Sequence, residues 1–131
     1  MKVDFVNKLN AVIIGCGAIH DLHADGIINS GIGKIAAVVD IDEEKAKQAA
    51  LKYDCEYYFD YHDVLKNEDV DVIHICTPHY LHAPMAIDAM NAQKHVLVEK
   101  PLALNTEQAY KMIETSDKND VYFGIAYQNR Y

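Results

Sequence analysis

The chain of 131 residues carries 20 Asp and Glu against 12 Lys and Arg, a formal net charge of -8. So acidic a chain offers no basic face to a phosphate backbone, which excludes nucleic acid as the main partner, and it contains no run of about 18 apolar residues that could span a membrane. Half of the residues are hydrophobic and 24% charged, the balance of a globular chain long enough for one domain and short for two.

Residues Met1 to Asn10 lack the apolar stretch of a signal peptide, so the expected location is the cytoplasm. Cys16, Cys55 and Cys76 make an odd count without paired spacing and read as free thiols. There is no repeat, low-complexity tract or linker. Short apolar runs predict strands near 10–15, 35–40, 56–59, 71–76, 95–99 and 121–127. Most of these runs are continuous rather than alternating, as in strands covered on both faces. Helices are predicted between them. Ala18 to Asn29 leads to Gly31, a left-handed stop. Glu43 to Tyr53 follows the N-cap Asp42. A short helix near Tyr61 to Lys66 comes next, then Leu81 to Ala92. Thr106 to Ser116 follows Asn105, whose side chain caps the first turn while Gln108 reaches back. Strands alternating with helices imply a parallel sheet with right-handed crossovers, an α/β doubly wound (Rossmann-type) domain in three layers.

The first apolar run ends in Gly15-Cys16-Gly17-Ala18-Ile19-His20. Gly15 suits a tight turn, and Gly17 allows the backbone to approach a pyrophosphate. A helix beginning at Ala18 presents free N–H groups and a positive dipole end to the phosphates. His20 stands where the third glycine or alanine of such a turn is usual, which points to altered helix–strand packing. About twenty residues on, Asp40 closes the second run, where an acid accepts hydrogen bonds from the adenosine ribose and repels a 2′-phosphate. Asp40 and the adjacent Ile41 are therefore assigned to the cofactor, with NAD favoured over NADP.

The fourth run ends in Thr77-Pro78-His79-Tyr80-Leu81-His82. Its tip is expected beside the first strand, at the crevice where the strand order reverses. Thr77 is placed to hydrogen-bond the cofactor and Pro78 to wall the pocket, while His79 and His82 share a helix face. The fifth run ends in Glu99-Lys100-Pro101, which sets a carboxylate, an amine and a rigid proline at a strand tip. Such a lysine can orient an alcohol and help move its proton. Pro101 is a candidate for a cis peptide bond.

Taken together, Gly15-Cys16-Gly17-Ala18-Ile19 with His23, Asp40, Cys76-Thr77-Pro78 with His82, and Lys94-His95-Val96-Leu97-Val98-Glu99-Lys100-Pro101 resemble the Gfo/Idh/MocA oxidoreductases, the glucose–fructose oxidoreductase and inositol dehydrogenase family. The departures are His20 and Gln93, the latter standing where the family often has glycine. The resemblance implies that Lys100, the one catalytic residue expected here, reaches the nicotinamide ribose and the reacting hydroxyl, with Glu99 as its partner on the cofactor side. Gly15, Gly17, Ala18, Ile19, Asp40, Ile41, Thr77, Pro78, His79, His82, Glu99 and Lys100 are then the cofactor-binding set. The implied reaction is hydride transfer between NAD and a secondary alcohol of a sugar or cyclitol.

The resemblance further implies that residues 1–131 form the dinucleotide-binding domain and that a C-terminal substrate domain lies outside this chain. The fragment alone is expected to be inactive and the full-length protein a homo-oligomer. Arg130 is a weaker candidate for a substrate-facing residue. Two other readings compete. A non-catalytic NAD sensor of the same fold would not need Lys100. A metal site could draw on His20, His23, His79, His82, Cys16 and Cys76, but a metal site usually groups its ligands more tightly and a cofactor cleft already accounts for those positions, so no metal is assigned. A cysteine held between two turn glycines, Cys16, is an unpromising nucleophile.

Overall fold

The computed structural model describes residues 8–126. Along the chain it shows β1 (Leu9–Ile14), α1 (His20–Ser30), β2 (Gly33–Val39), α2 (Glu43–Tyr53), β3 (Glu56–Tyr58), α3 (Tyr61–Leu65), β4 (Val72–Ile75), α4 (His82–Asn91), β5 (His95–Glu99), α5 (Thr106–Asn119) and β6 (Phe123–Ala126). One sheet holds all six strands in the order β3-β2-β1-β4-β5-β6, and every pairing is parallel. The chain walks outward from β1 to β3, then returns to β4 on the other side of β1 and walks outward again. The reversal lies between β1 and β4, so a crevice opens at their carboxyl ends.

Two cores follow from this winding. On one face α1 and α2 pack Ala24, Ile27, Ala49 and Ala50 onto Ala11, Ile13 and Val38. On the other, α4 and α5 bring Ala86, Met90 and Met112 onto Val12, Ile73, Ile75 and Val98. Burying each of the larger side chains contributes about 1.5–3 kcal/mol. The continuous apolar character of β1 follows from this double cover, since Ala11 to Ile14 are each 0–2% exposed.

The local stop and start signals are physical ones. Asp42 accepts hydrogen bonds from the N–H groups of Glu44 and Lys45, and Asn105 accepts from the N–H of Gln108. Gln108 Oε1 reaches back to the N–H of Leu104. Gly31, at φ 76°, closes α1. Several boundaries differ from expectation. α1 begins at His20 rather than Ala18, because Gly17 to Ile19 form a turn whose first bond runs from the His20 N–H to the Gly17 carbonyl. β2 starts two residues earlier, at Gly33, and skips one residue opposite Ala11/Val12. α4 is preceded by a 3-10 turn over His79–Leu81. α5 runs on to Asn119, where Asp120 turns left-handed, and the short helix after Asp60 ends at Leu65. The predicted sixth strand is seen over Phe123–Ala126, and Arg130 lies outside the described residues.

Candidate functional site

The expected cofactor residues stand at the carboxyl tips of four adjacent strands. Gly15 to Ile19 follow β1, Asp40 and Ile41 follow β2, Thr77 to His79 follow β4, and Glu99-Lys100 end β5. Neighbouring strands are about 4.8 Å apart, so the sheet brings these segments together although up to 85 residues separate them in sequence.

Gly15 and Gly17 are required for different reasons. Gly15 has φ 101°, and a Cβ there would lie 2.7 Å from the Cys76 carbonyl oxygen. β1 and β4 approach too closely at that point for any side chain. A Cβ on Gly17 would meet no heavy atom within 4 Å. The space beside it is open, which is the cradle a pyrophosphate needs, and Ala18 beyond it is exposed.

Asp40 holds this turn in place. Its Oδ2 accepts from the Cys16 N–H at 2.8 Å and its Oδ1 from the Asp42 N–H at 2.8 Å. Each oxygen keeps a free lone pair for a further donor. Ile41 next to it is 90% exposed, an apolar side chain standing in solvent at the lip of the crevice. His20 donates from Nδ1 to the Gly17 carbonyl at 2.6 Å, while Nε2 lies 3.4 Å from the Asp21 carboxylate. Its ring meets Tyr53 edge-on, so it fills the space between the helices rather than the cradle.

On the other side of the crevice, Thr77 donates to the Met85 sulfur at 3.4 Å. His79 is exposed. His82 is fully buried, with Nδ1 2.7 Å from the Pro101 carbonyl oxygen and Nε2 2.9 Å from that of Thr77. It therefore ties the β4 and β5 tips together from beneath. The Lys100–Pro101 peptide bond is cis. Lys100 is exposed, whereas Glu99 is 8% exposed and turned into the domain, where its Oε2 lies 2.6 Å from His23 Nε2. His23 Nδ1 in turn lies 2.9 Å from His74 Nδ1.

This cluster behind β5 went unread in the sequence. Its signal is there: His74 interrupts the apolar run Val72-Ile73-His74-Ile75, and a polar side chain inside an apolar strand run calls for a partner. Burial, then the neighbouring His23, pushes the His74 pKa from 6.5 down to about 4. Burial, then Asp40, raises the Cys16 thiol to about 12, and burial raises Cys76 as well. All three cysteines are free, and at neutral pH Cys16 is a thiol, not a nucleophilic thiolate. Among the described residues no group of three or more His, Cys, Asp or Glu is arranged to hold a metal ion, and no helix is long and apolar enough to cross a membrane.

Two concavities lie elsewhere. One of about 690 Å³ sits at the opposite edge of the sheet, lined by Asn10, Lys34, Tyr53 and Asn67. Another of about 580 Å³ lies beside α1, lined by Leu22, Gly26, Leu97 and Ala126 and floored by Glu99 and His74. Neither contains the glycine turn or Asp40, and the strand-tip crevice is where the chemistry converges.

Residues 9–127 match a family model described as an oxidoreductase family with an NAD-binding Rossmann fold, GFO_IDH_MocA. The chain belongs to the Gfo/Idh/MocA oxidoreductase family. Inositol 2-dehydrogenase of Salmonella typhimurium is 39% identical over 114 residues, 85% of this chain and 34% of that protein. The solved myo-inositol 2-dehydrogenase of Lactobacillus plantarum superposes with a TM-score of 0.86 at 30% identity, covering 95% of this chain and 38% of its own. The WlbA dehydrogenase of Bordetella pertussis, solved with NADH and UDP-GlcNAcA, gives 0.89 at 27% identity and covers 95% and 36%. The chain thus spans about a third of the length of the curated relatives it matches. As a Gfo/Idh/MocA domain it is an NAD-binding one with a Rossmann fold, and the glycine cradle and Asp40 suit that group.

Proposed function

We propose that the protein to which this chain belongs is an oxidoreductase that moves hydride between a nicotinamide cofactor, NAD in preference to NADP, and a secondary alcohol of a sugar or cyclitol. The observation that carries this reading is the exposed amine of Lys100 two strands along from the glycine cradle, on the same rim of the sheet. The bound nicotinamide supplies the hydride acceptor or donor. The backbone N–H groups of Gly17, Ala18 and Ile19 face the pyrophosphate, and Asp40 takes the adenosine ribose hydroxyls on its free lone pairs. Ile41 covers the adenine, and Thr77, Pro78 and His79 wall the nicotinamide half. Lys100 Nζ donates to the alcohol oxygen and holds it in line, and His82 keeps the two tips in register. Glu99 is assigned an anchoring role, since its carboxylate faces the interior.

The preference for NAD follows from charge. A 2′-phosphate would sit against the Asp40 carboxylate with Asp42, Glu43 and Glu44 close behind in sequence, and like charges at contact distance disfavour binding. Inositol and UDP-sugar names among the relatives support a polyol or sugar substrate.

Calorimetric titration of the chain with NAD and NADP tests the reading. NAD is expected to bind more tightly. Asp40→Asn, which keeps an acceptor for the Cys16 N–H and removes the charge, is expected to narrow that preference by about tenfold. Lys100→Ala should weaken nucleotide binding about tenfold, because the amine also reaches the nicotinamide ribose. Failure of both nucleotides to bind, or a preference untouched by Asp40→Asn, refutes the assignment.

A further inference from the structure

Behind the crevice, on the sheet face under α1, three titratable side chains form a continuous chain, and the cofactor reading gives two of them, His23 and His74, no role. The pleat of β5 sends Val96 and Val98 to one face and Leu97 and Glu99 to the other. Glu99 therefore enters the domain with a side chain only 10% exposed, against a His23 side chain at 5%. His23 reaches it from α1, and His74 comes up from β4 to meet the far side of the His23 ring, edge to face at 87°.

The protons can be assigned from the partners. A carboxylate only accepts, so His23 Nε2 carries a hydrogen and donates it to Glu99. The 2.9 Å contact between the two Nδ1 atoms has room for one hydrogen. If the His23 ring is neutral, His74 donates it; if the His23 ring is charged, His74 accepts it. His74 is neutral in both arrangements, in keeping with its depressed pKa. In either arrangement the His23 ring is gripped on both nitrogens and Glu99 has a fixed donor.

What this does for the rim follows from adjacency. Lys100 is the next residue after Glu99 and stands exposed just past the end of β5. A buried carboxylate without a donor is strongly disfavoured, and turning Glu99 outward, beside Lys100, would relieve it. There it would compete for the ammonium that the alcohol oxygen needs, and the end of β5 would no longer be anchored.

We propose that His23, with its ring fixed by His74, is a positioning residue for Lys100: by holding the Glu99 carboxylate inside the domain it sets the direction in which Lys100 leaves β5. The inference rests on the reading of Lys100 as the amine of the crevice.

The test compares 15N-labelled chain with His23→Ala and His23→Gln, the glutamine amide supplying a donor to Glu99. The measurements are melting temperature, the Lys100 backbone amide resonance and the dissociation constant for NADH. In His23→Ala the Lys100 amide is expected to move and the NADH constant to rise about tenfold; in His23→Gln the amide returns and the constant stays within about threefold of the parent. A merely structural pair would lower the melting temperature and leave the Lys100 amide and the NADH constant of the folded protein unchanged, and that result overturns the proposal. Equal displacement of the amide in both variants overturns it too. Should His23→Ala not fold, Glu99→Gln replaces it, with the same amide expected to move and an unmoved amide decisive against. If NADH fails to bind the parent while the amide follows the expected pattern, the cofactor reading falls and the positioning role stands.

Discussion

Gly15 and Gly17 belong to one turn, and the structure predicts opposite consequences for adding a single methyl group to each. In Gly15→Ala the new carbon would lie 2.7 Å from the Cys76 oxygen, 2.8 Å from its carbonyl carbon and 3.1 Å from the Thr77 nitrogen. All three atoms are backbone, and Cys76 is pinned by its N–H bond to the Ile14 carbonyl at 2.8 Å, so none can yield cheaply. Overpacking of this kind costs about 1–3 kcal/mol. The φ of 101° adds about 1–3 kcal/mol for a residue with a Cβ. The sum, roughly 2–6 kcal/mol, is a large share of a domain's usual 5–15 kcal/mol. At about 3–5 °C per kcal/mol for a chain of this size, melting should fall by about 8 °C or more. Gly17→Ala meets nothing and has no positive φ to violate, so its melting temperature should stay within about 2 °C of the parent. Its methyl group, however, occupies the cradle, and NAD affinity should drop about tenfold or more. Circular dichroism melts and calorimetric titration of both variants give the comparison. A Gly15→Ala protein that melts with the parent would refute the close-approach argument. A Gly17→Ala protein that binds NAD normally would remove the cradle.

Two further predictions concern stability. His74 has a pKa near 4 in the fold against 6.5 for the ordinary side chain. Between those values the unfolded chain binds the extra proton, so the stabilisation is complete above about pH 6.5 and is lost as pH falls towards 4, by up to about 3 kcal/mol. Denaturant melts from pH 7 to pH 4 should show this loss, and His74→Asn should show distinctly less of it; equal acid sensitivity would disprove the contribution. Gln93 adopts a left-handed φ of 66° between α4 and β5, a conformation that costs a residue with a Cβ about 1–2 kcal/mol. Gln93→Gly gives up an exposed bond to Asn119 and an entropy term, yet should still raise melting by about 2–4 °C; a lower melting temperature would contradict the strain reading.

Much of the fold could be read from local chemistry. The strands are visible as apolar runs because β1 is buried on both faces and β4 is apolar on its fully buried face. Asp42, Asn105 and Gly31 marked helix ends because each supplies a bond or a backbone angle that few residues can. The helix α1 begins two residues later than its sequence suggests for the same reason: its N-cap, Ile19, has no side-chain bond to announce it. The rim residues were legible by spacing, but the direction of Glu99 was not. The alternation in His95 to Glu99 separates Leu97 and Glu99 from Val96 and Val98, yet only the docking of α1 decides that His23 waits on the Glu99 side. Likewise His82 reads as a crevice residue from its helix face, and the fold draws it inward because two carbonyl groups, from Thr77 and Pro101, are there to be bridged.

The side-by-side arrangement of the β2, β1, β4 and β5 tips is fixed by backbone ladders, and this bears on how such a site can change over generations. The spacing between cradle, acid and amine is inherited with the strand order, whatever side chains fill the two cores. Substitutions can accumulate in the helices and on the outer surface without re-measuring the site, as a 0.89 superposition at 27% identity illustrates. The positions denied that freedom are few and lie at strand ends, so a new specificity in this lineage would be reached by rewriting loops rather than by rebuilding the sheet.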